Sequence, residues 1–371
     1  MKRLWALLFL TLLSSATVHA VTPSAAPAHA ANPSCAKAVT RLDKAICASP
    51  ELAAANDKVA AAFKGALAQA PAELADGMRA DQSAWLRNAA VDCNVRKGYN
   101  DCLLGYFAAR TEKLAHLMEP LGGRNFLWRM TWVSAKDKPA PVPEDCDVDD
   151  TWGFSTLFAT WPQLASGGAE AKAFNLALEA AARNFNHPGV KGPIATWTQA
   201  LGKPDQSVTT VRVELNYVGK KMIDATIESN PTGHCDTYPT ASYRAFNWLL
   251  AEQREMEAKD IFIPTSDWRK ILEKAFREVV APSIEGNDIG GVDTAADLKA
   301  LLKIFDNPHN WQLDPDGLSI VYSEGKDLSH ADIPGDITIP WDELKSILQP
   351  TFEIPEAGDP PTGVIKGAAG L

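Results

Sequence analysis

Six cysteines are the residues of this 371-residue sequence best placed to do chemistry: Cys35, Cys47, Cys93, Cys102, Cys146 and Cys235. Metal ligation, thiol redox exchange and disulfide cross-linking are open to such a set. No CxxC spacing occurs, which argues against a zinc or redox site, while an even count fits cross-links in an exported protein. The first four allow three connectivities. Cys35 with Cys47 and Cys93 with Cys102 is the favoured one, because each pair closes a short loop between helix ends. Cys146 and Cys235 remain as a pair tying two loops. Other chemistry is thin. The run from Glu144 to Asp150 alternates carboxylates but lacks the glycine and closing glutamate of a calcium loop, so it reads as a solvated acidic loop. The seven histidines form no HxxxH or HExxH spacing, and there is no GxSxG elbow or glycine-rich phosphate loop. With 46 acidic residues, a candidate pair for glycoside hydrolysis carries little information. No catalytic, cofactor-binding or metal-ligating residue is assigned, and the expected class is an interaction protein, not an enzyme.

The elements that must position the first four cysteines are helices. Leu52, Val59, Phe63 and Leu67 fall on one face of an alanine-rich stretch from Pro50 to Ala70, with Ser49 as N-cap and Pro50 at the first helical position. Pro71 separates a second helix, from about Ala72 to Ala90, with Leu74, Met78 and Trp85 facing inward. A third follows Asn100 and Asp101, either of which is a possible cap, and carries Leu103, Phe107, Leu114 and Leu117 on its apolar stripe. Arg110 on that helix is expected to pair with Asp43 or Asp57. A bundle of this size has a modest core, so covalent staples are expected to help it.

Upstream, Lys2 and Arg3 precede the apolar run Leu4 to Leu13, and Val18-His19-Ala20 offers small residues for cleavage. This is a secretory signal over residues 1–20, followed by an Ala/Pro-rich tether over 21–32. The run is too short to span a bilayer stably, and no cysteine follows the cut, so no membrane anchor is expected. Localisation is expected to be periplasmic or secreted.

Cys35, Asp43 to Cys47, Pro50 to Ala53, Gln82, Trp85-Leu86, Cys93, Cys102, Phe107, Arg110 and Leu114 together resemble the N-terminal domain of the LprI-type lysozyme inhibitors. Asn56, Phe63 and Ala89 stand where that family more often has aspartate, tyrosine and arginine. The resemblance covers residues 33–120 and implies lysozyme as partner.

Loss of the leader moves the net charge from −10 to −12, and the block from Pro33 to Pro120 is nearly neutral, so the acidity lies in the second half. That argues against nucleic acid and anionic membranes and favours a cationic partner. Past Gly123 the pattern mixes strands and helices without regular alternation, an α+β domain over 123–350 with a flexible tail over 351–371. Strands are expected at Phe126 to Val133, Thr151 to Trp161, Ser207 to Val218, Met222 to Glu228 and Thr237 to Leu250. Helices are expected at Ala169 to Phe185, Ser266 to Val280 and Thr294 to Phe305. A hairpin about Asp314-Pro-Asp-Gly317, a strand at Ile337 to Ile339 and a helix from Trp341 to Leu348 close the domain. Trp161 to Leu164, Asn175, Leu313 to Ile320 and Ile339 to Leu344 resemble the extracytoplasmic domain shared by RsiV-type anti-sigma factors and some peptidoglycan deacetylases. In the former that domain implies lysozyme reception, and the latter's catalytic domain has no counterpart here. Eleven tryptophans should be mostly core, with one or two available to a sugar ring or protein partner.

The fold class is therefore multidomain, an all-α disulfide-stapled three-helix domain followed by an α+β domain. The expected function is lysozyme binding or inhibition by surface occlusion, with peptidoglycan binding or envelope sensing without catalysis as the alternative.

Overall fold

The computed structural model describes residues 35–136, 154–185, 192–202, 207–233, 241–286, 304–321 and 337–356. The leader, the tether, the acidic loop at 144–150, Cys146, Cys235, Trp152 and most of the helix expected at 294–305 lie outside the described residues.

A two-turn helix, α1 (Arg41–Ala48), opens with Thr40 and Asp43 in a reciprocal capping box. Three long helices follow: α2 (Pro50–Gln69), α3 (Ala72–Val95) and α4 (Tyr99–Ala115). Ser49 caps α2 as its sequence predicts, its hydroxyl accepting from the Leu52 N–H at 3.3 Å with Pro50 in the first turn. Neither Asn100 nor Asp101 caps α4. The second long helix continues past Ala90 to Val95, leaving three residues for the turn, and Gly98 at φ +76° takes the capping position in the left-handed region that glycine tolerates. Leu52, Val59, Phe63, Met78, Trp85, Leu103, Phe107 and Leu114 are buried between the helices.

The bonds Cys35–Cys47 and Cys93–Cys102 are formed, each with Cα atoms 5.6 Å apart. The second closes the turn between α3 and α4. In the chain-entropy account, replacing Cys93 and Cys102 together by serine should lower the unfolding free energy by about 3 kcal/mol. Urea unfolding measures this, and a loss under about 1 kcal/mol would mean that packing alone holds the turn.

Seven strands form one sheet in sequence order: β1 (Met118–Leu121), β2 (Arg124–Lys136), β3 (Phe154–Leu164), β4 (Ser207–Val218), β5 (Met222–Gly233), β6 (Ser242–Leu249) and β7 (Arg254–Glu255). All neighbours are antiparallel except β3 and β4. A parallel pair needs a crossover, and α5 (Gly168–Asn184) and the single turn α6 (Trp197–Ala200) lie within it, with Phe174 and Leu178 fully buried. The Gly122-Gly123 turn joins β1 to β2 with both glycines at positive φ, and a Cβ on Gly122 would collide with the Val218 carbonyl oxygen. Because β1 follows α4 directly and pairs with β2, the helices and the sheet share one continuous apolar core from Leu42 to Leu250.

A second core lies at the far end. The strands β8 (Trp311–Leu313), β9 (Gly317–Ile320) and β10 (Ile337–Pro340) form a small antiparallel sheet with the helix α7 (Trp268–Gly286) against it. The hairpin turn has the expected place, with Asp314 and Gly317 exchanging backbone hydrogen bonds at 3.0 and 3.3 Å. The helix expected to run to Leu348 is one turn, Trp341–Leu344. The tail expected from residue 351 is packed at its start, because the Phe352 ring lies 5.4 Å from that of Trp341.

Candidate functional site

Three of the residues that carry the first resemblance meet at the seam where the helices pack on the sheet. Gln82 and Trp85 on α3 face Arg110 on α4, and all three are buried. Arg110 Nε donates to Gln82 Oε1 at 2.9 Å, and its guanidinium lies 5.4 Å from the centre of the Trp85 ring. Its Nη1 faces the Met130 sulfur on β2. The ion pair expected with Asp43 or Asp57 does not form, because those carboxylates lie elsewhere: Asp43 accepts from its own cap at Thr40, and Asp57 is on the exposed face of α2.

The ion pair of the seam is instead Asp81 with Arg129 of β2. Arg129 donates from Nε and Nη2 to the two carboxylate oxygens, the latter at 3.0 Å, and from Nη1 to Gln163 at 2.9 Å. Burial pushes the Asp81 carboxyl above its ordinary range, against the bonds from Arg129. Burial would likewise lower Arg129, but the Asp81 bonds outweigh it and raise the guanidinium. The two-point geometry decides between these tendencies in favour of a charged pair. Sequence reasoning missed it, although Asp81-Gln82 stands in the inward stripe between Met78 and Trp85, a polar break that signals a buried partner.

Lys113, one turn along α4 from Arg110, is also buried, with Nζ 5.4 Å from the centre of the Phe158 ring. Burial first, then repulsion from Arg110, lowers its ammonium. Arg110 is pushed down to about 10, by burial against the opposing pull of Asp81. The Tyr106 hydroxyl donates to Asp92 at 2.5 Å, and burial followed by that carboxylate raises its phenol. A narrow cleft opens between these groups, walled by Trp85, Tyr106, Trp132 and Phe158.

Between the two cores, Asp224 on β5 is fully buried. Its carboxylate accepts from Asn216 Nδ2 and from the Leu313 N–H, the first at 2.5 Å and the second at 3.0 Å. Burial outweighs both bonds and pushes it up to about 8. A wider groove of about 600 Å³ has Met222, Leu249, Met256 and Phe352 in its wall and charges of both signs at its edge, so it offers no strong field. Among the described residues no cluster of three metal-ligating side chains occurs. Of the described tryptophans, eight are buried and Trp132 is half-buried at the seam, so none is the exposed anchor expected for a sugar ring.

Residues 33–114 match the family model for lysozyme inhibitor LprI. The matched stretch takes in α1, α2, α3, nearly all of α4 and both described disulfides, whose pairing is the one favoured from the sequence. Among solved structures, a DUF3298 family protein from Pseudomonas aeruginosa is 13% identical and covers 63% of this chain and 97% of its own, at a TM-score of 0.41. Another DUF3298 family member, from Bacteroides fragilis, is 15% identical over 62% of this chain and 96% of its own, with the same TM-score of 0.41. No curated protein matches the chain.

Proposed function

We propose that this chain is an exported, non-catalytic lysozyme-inhibitor-like protein that acts by covering the substrate cleft of a cationic muramidase. The match of residues 33–114 to the LprI model carries the reading. Two disulfides fit an oxidising compartment, and no described helix is long and apolar enough to cross a membrane.

The covering element we assign is the segment from Lys37 to Thr40. Val39 is 79% exposed, far above most large apolar residues of the described chain, and it projects from a rigid base. The Cys35–Cys47 bond holds one side and the Thr40 capping box the other. Arg41 pins the base by donating to Asn94 at the end of α3 and lying 4.1 Å from the centre of the Tyr99 ring. A stiff loop loses little entropy on docking. Lys37 within it and Lys44 one turn beyond are both exposed and suit the paired carboxyls of a glycosidase cleft, while the acidic remainder steers the approach to a cationic enzyme.

Purified oxidised protein should slow lysozyme lysis of a cell-wall suspension. Val39→Asp should weaken that inhibition by about tenfold or more without changing the melting temperature. Unchanged lysis at a large molar excess of wild type would end this reading.

A further inference from the structure

The cleft at the seam holds an unusual surplus of donors. Arg110 is 3% exposed and Lys113 is 7% exposed, yet among the described residues no carboxylate lies within salt-bridge distance of either. Asp81, the acid that acts on Arg110, already gives both oxygens to Arg129. Arg110 spends Nε on a neutral amide and turns Nη1 to a thioether, a weak acceptor. The third donor is Trp132, whose ring forms part of the wall and whose Nε1–H is buried with no acceptor. Arg110 and Lys113 thus stand without an ion-pair partner among the described residues: Asp81 is taken by Arg129, and Glu112, the acid that acts on Lys113, is the next residue along α4, with its side chain exposed. Buried charges are ordinarily paired, and buried donors ordinarily find acceptors. Such a set of donors suits an anion.

The free space is narrow, about enough for one water-sized group, so it takes a single oxygen and not a ring. Trp132 and Phe158, both only half-buried, make the mouth apolar. Chloride fits the charge but leaves that mouth unused, whereas a carboxylate with a short hydrocarbon substituent satisfies both. We infer that the seam between α4 and β2 is a binding site for a small carboxylate, with one oxygen seated among Lys113 Nζ, Arg110 and the Trp132 indole N–H and the apolar substituent against Trp132 and Phe158. The site is independent of the lysozyme-facing loop, and it is suited to the carboxylate end of a cell-wall peptide or to a free organic acid.

The test is thermal unfolding of the full oxidised chain in sodium propionate, sodium chloride and the bulky sulfonate 2-(N-morpholino)ethanesulfonate, all at one ionic strength. Propionate should raise the melting temperature saturably, by about 5 °C at a hundredfold excess over its dissociation constant. The sulfonate should have no such effect, and Lys113→Met should abolish the response. Should that variant fail to fold, the wild type still decides the matter, because propionate should shift one indole N–H resonance, that of Trp132. A short peptide ending in D-alanine, compared with its C-terminal amide, separates the peptide source from free acids: protection by the acid form alone would place cell-wall peptides in the site, and protection by neither would leave free acids as the ligand. Equal responses to all three anions with no indole shift would overturn the site, and an equal response to chloride and propionate would overturn its carboxylate preference.

Discussion

Arg129→Met should cost about 3 to 5 kcal/mol of stability, among the largest effects of any single change at the helix–sheet seam. The side chains of Arg129 and Asp81 are each only 12% exposed, and their contact joins α3 to β2 across 48 positions of sequence. Removing the guanidinium leaves the Asp81 carboxylate buried with Arg110 as its remaining nearby cation, and Gln163 loses its donor as well. The cost comes from the stranded charge more than from the lost attraction. The double variant Asp81→Leu with Arg129→Met should therefore recover most of the loss, to within about 1 to 2 kcal/mol of wild type. Urea unfolding of the four proteins completes the cycle. A single-variant cost below about 1 kcal/mol would place the pair in effective contact with water.

The second large effect is a fall in stability with rising pH. Asp224 titrates at about 8 in the folded chain because burial raises it from an ordinary value of 3.8. Between those two values the native state keeps a proton that the unfolded state releases, so each rise in pH favours unfolding. The slope is on the order of 1 kcal/mol per pH unit over roughly pH 4 to 8, and it flattens above. Glu255 and Asp260 are lowered, so their stabilisation is already complete above about pH 5 and does not mask the trend. Asp224→Asn removes the titration but turns an amide N–H₂ toward one of the two donors, Asn216 or the Leu313 N–H. Asp81 and Glu228 are also raised and act in the same direction, so that variant should be less stable than wild type at pH 5 and should lose stability less steeply than wild type up to pH 8. Melting temperatures at the two values decide it; parallel slopes in the two proteins would mean that Asp224 is ionised throughout.

Much of the fold was legible because its determinants are local. Ser49-Pro50 announces a helix start within two residues, the alternation from Ser207 to Val218 is a strand with the bounds observed, and Asp314 to Gly317 marks its hairpin. The two short-loop cysteine pairings followed from helix ends that lie close in sequence. The rest depends on partners far apart in the chain. Nothing near Arg110 says that Asp43 and Asp57 face other ways, or that Asp81 is taken by a residue on a strand yet to come. The second helix, expected to end at about Ala90, runs on to Val95 and brings Cys93 to Cys102, a pairing that no residue near Ala90 announces. Asp224 is one residue of the expected strand from Met222 to Glu228, and only the second core closing over it makes it a buried acid. The carboxylate cleft was invisible for the same reason, since Arg110, Met130 and Phe158 meet only after β2 and β3 pair and receive α4.

The proposed activity is tested most directly by titrating the oxidised full-length mature chain into lysozyme in a calorimeter at low and at physiological salt. Saturable one-to-one binding that weakens as salt rises is the predicted result, since the acidic surface steers the encounter. Absence of binding at both salt concentrations, with the disulfides intact, would contradict it.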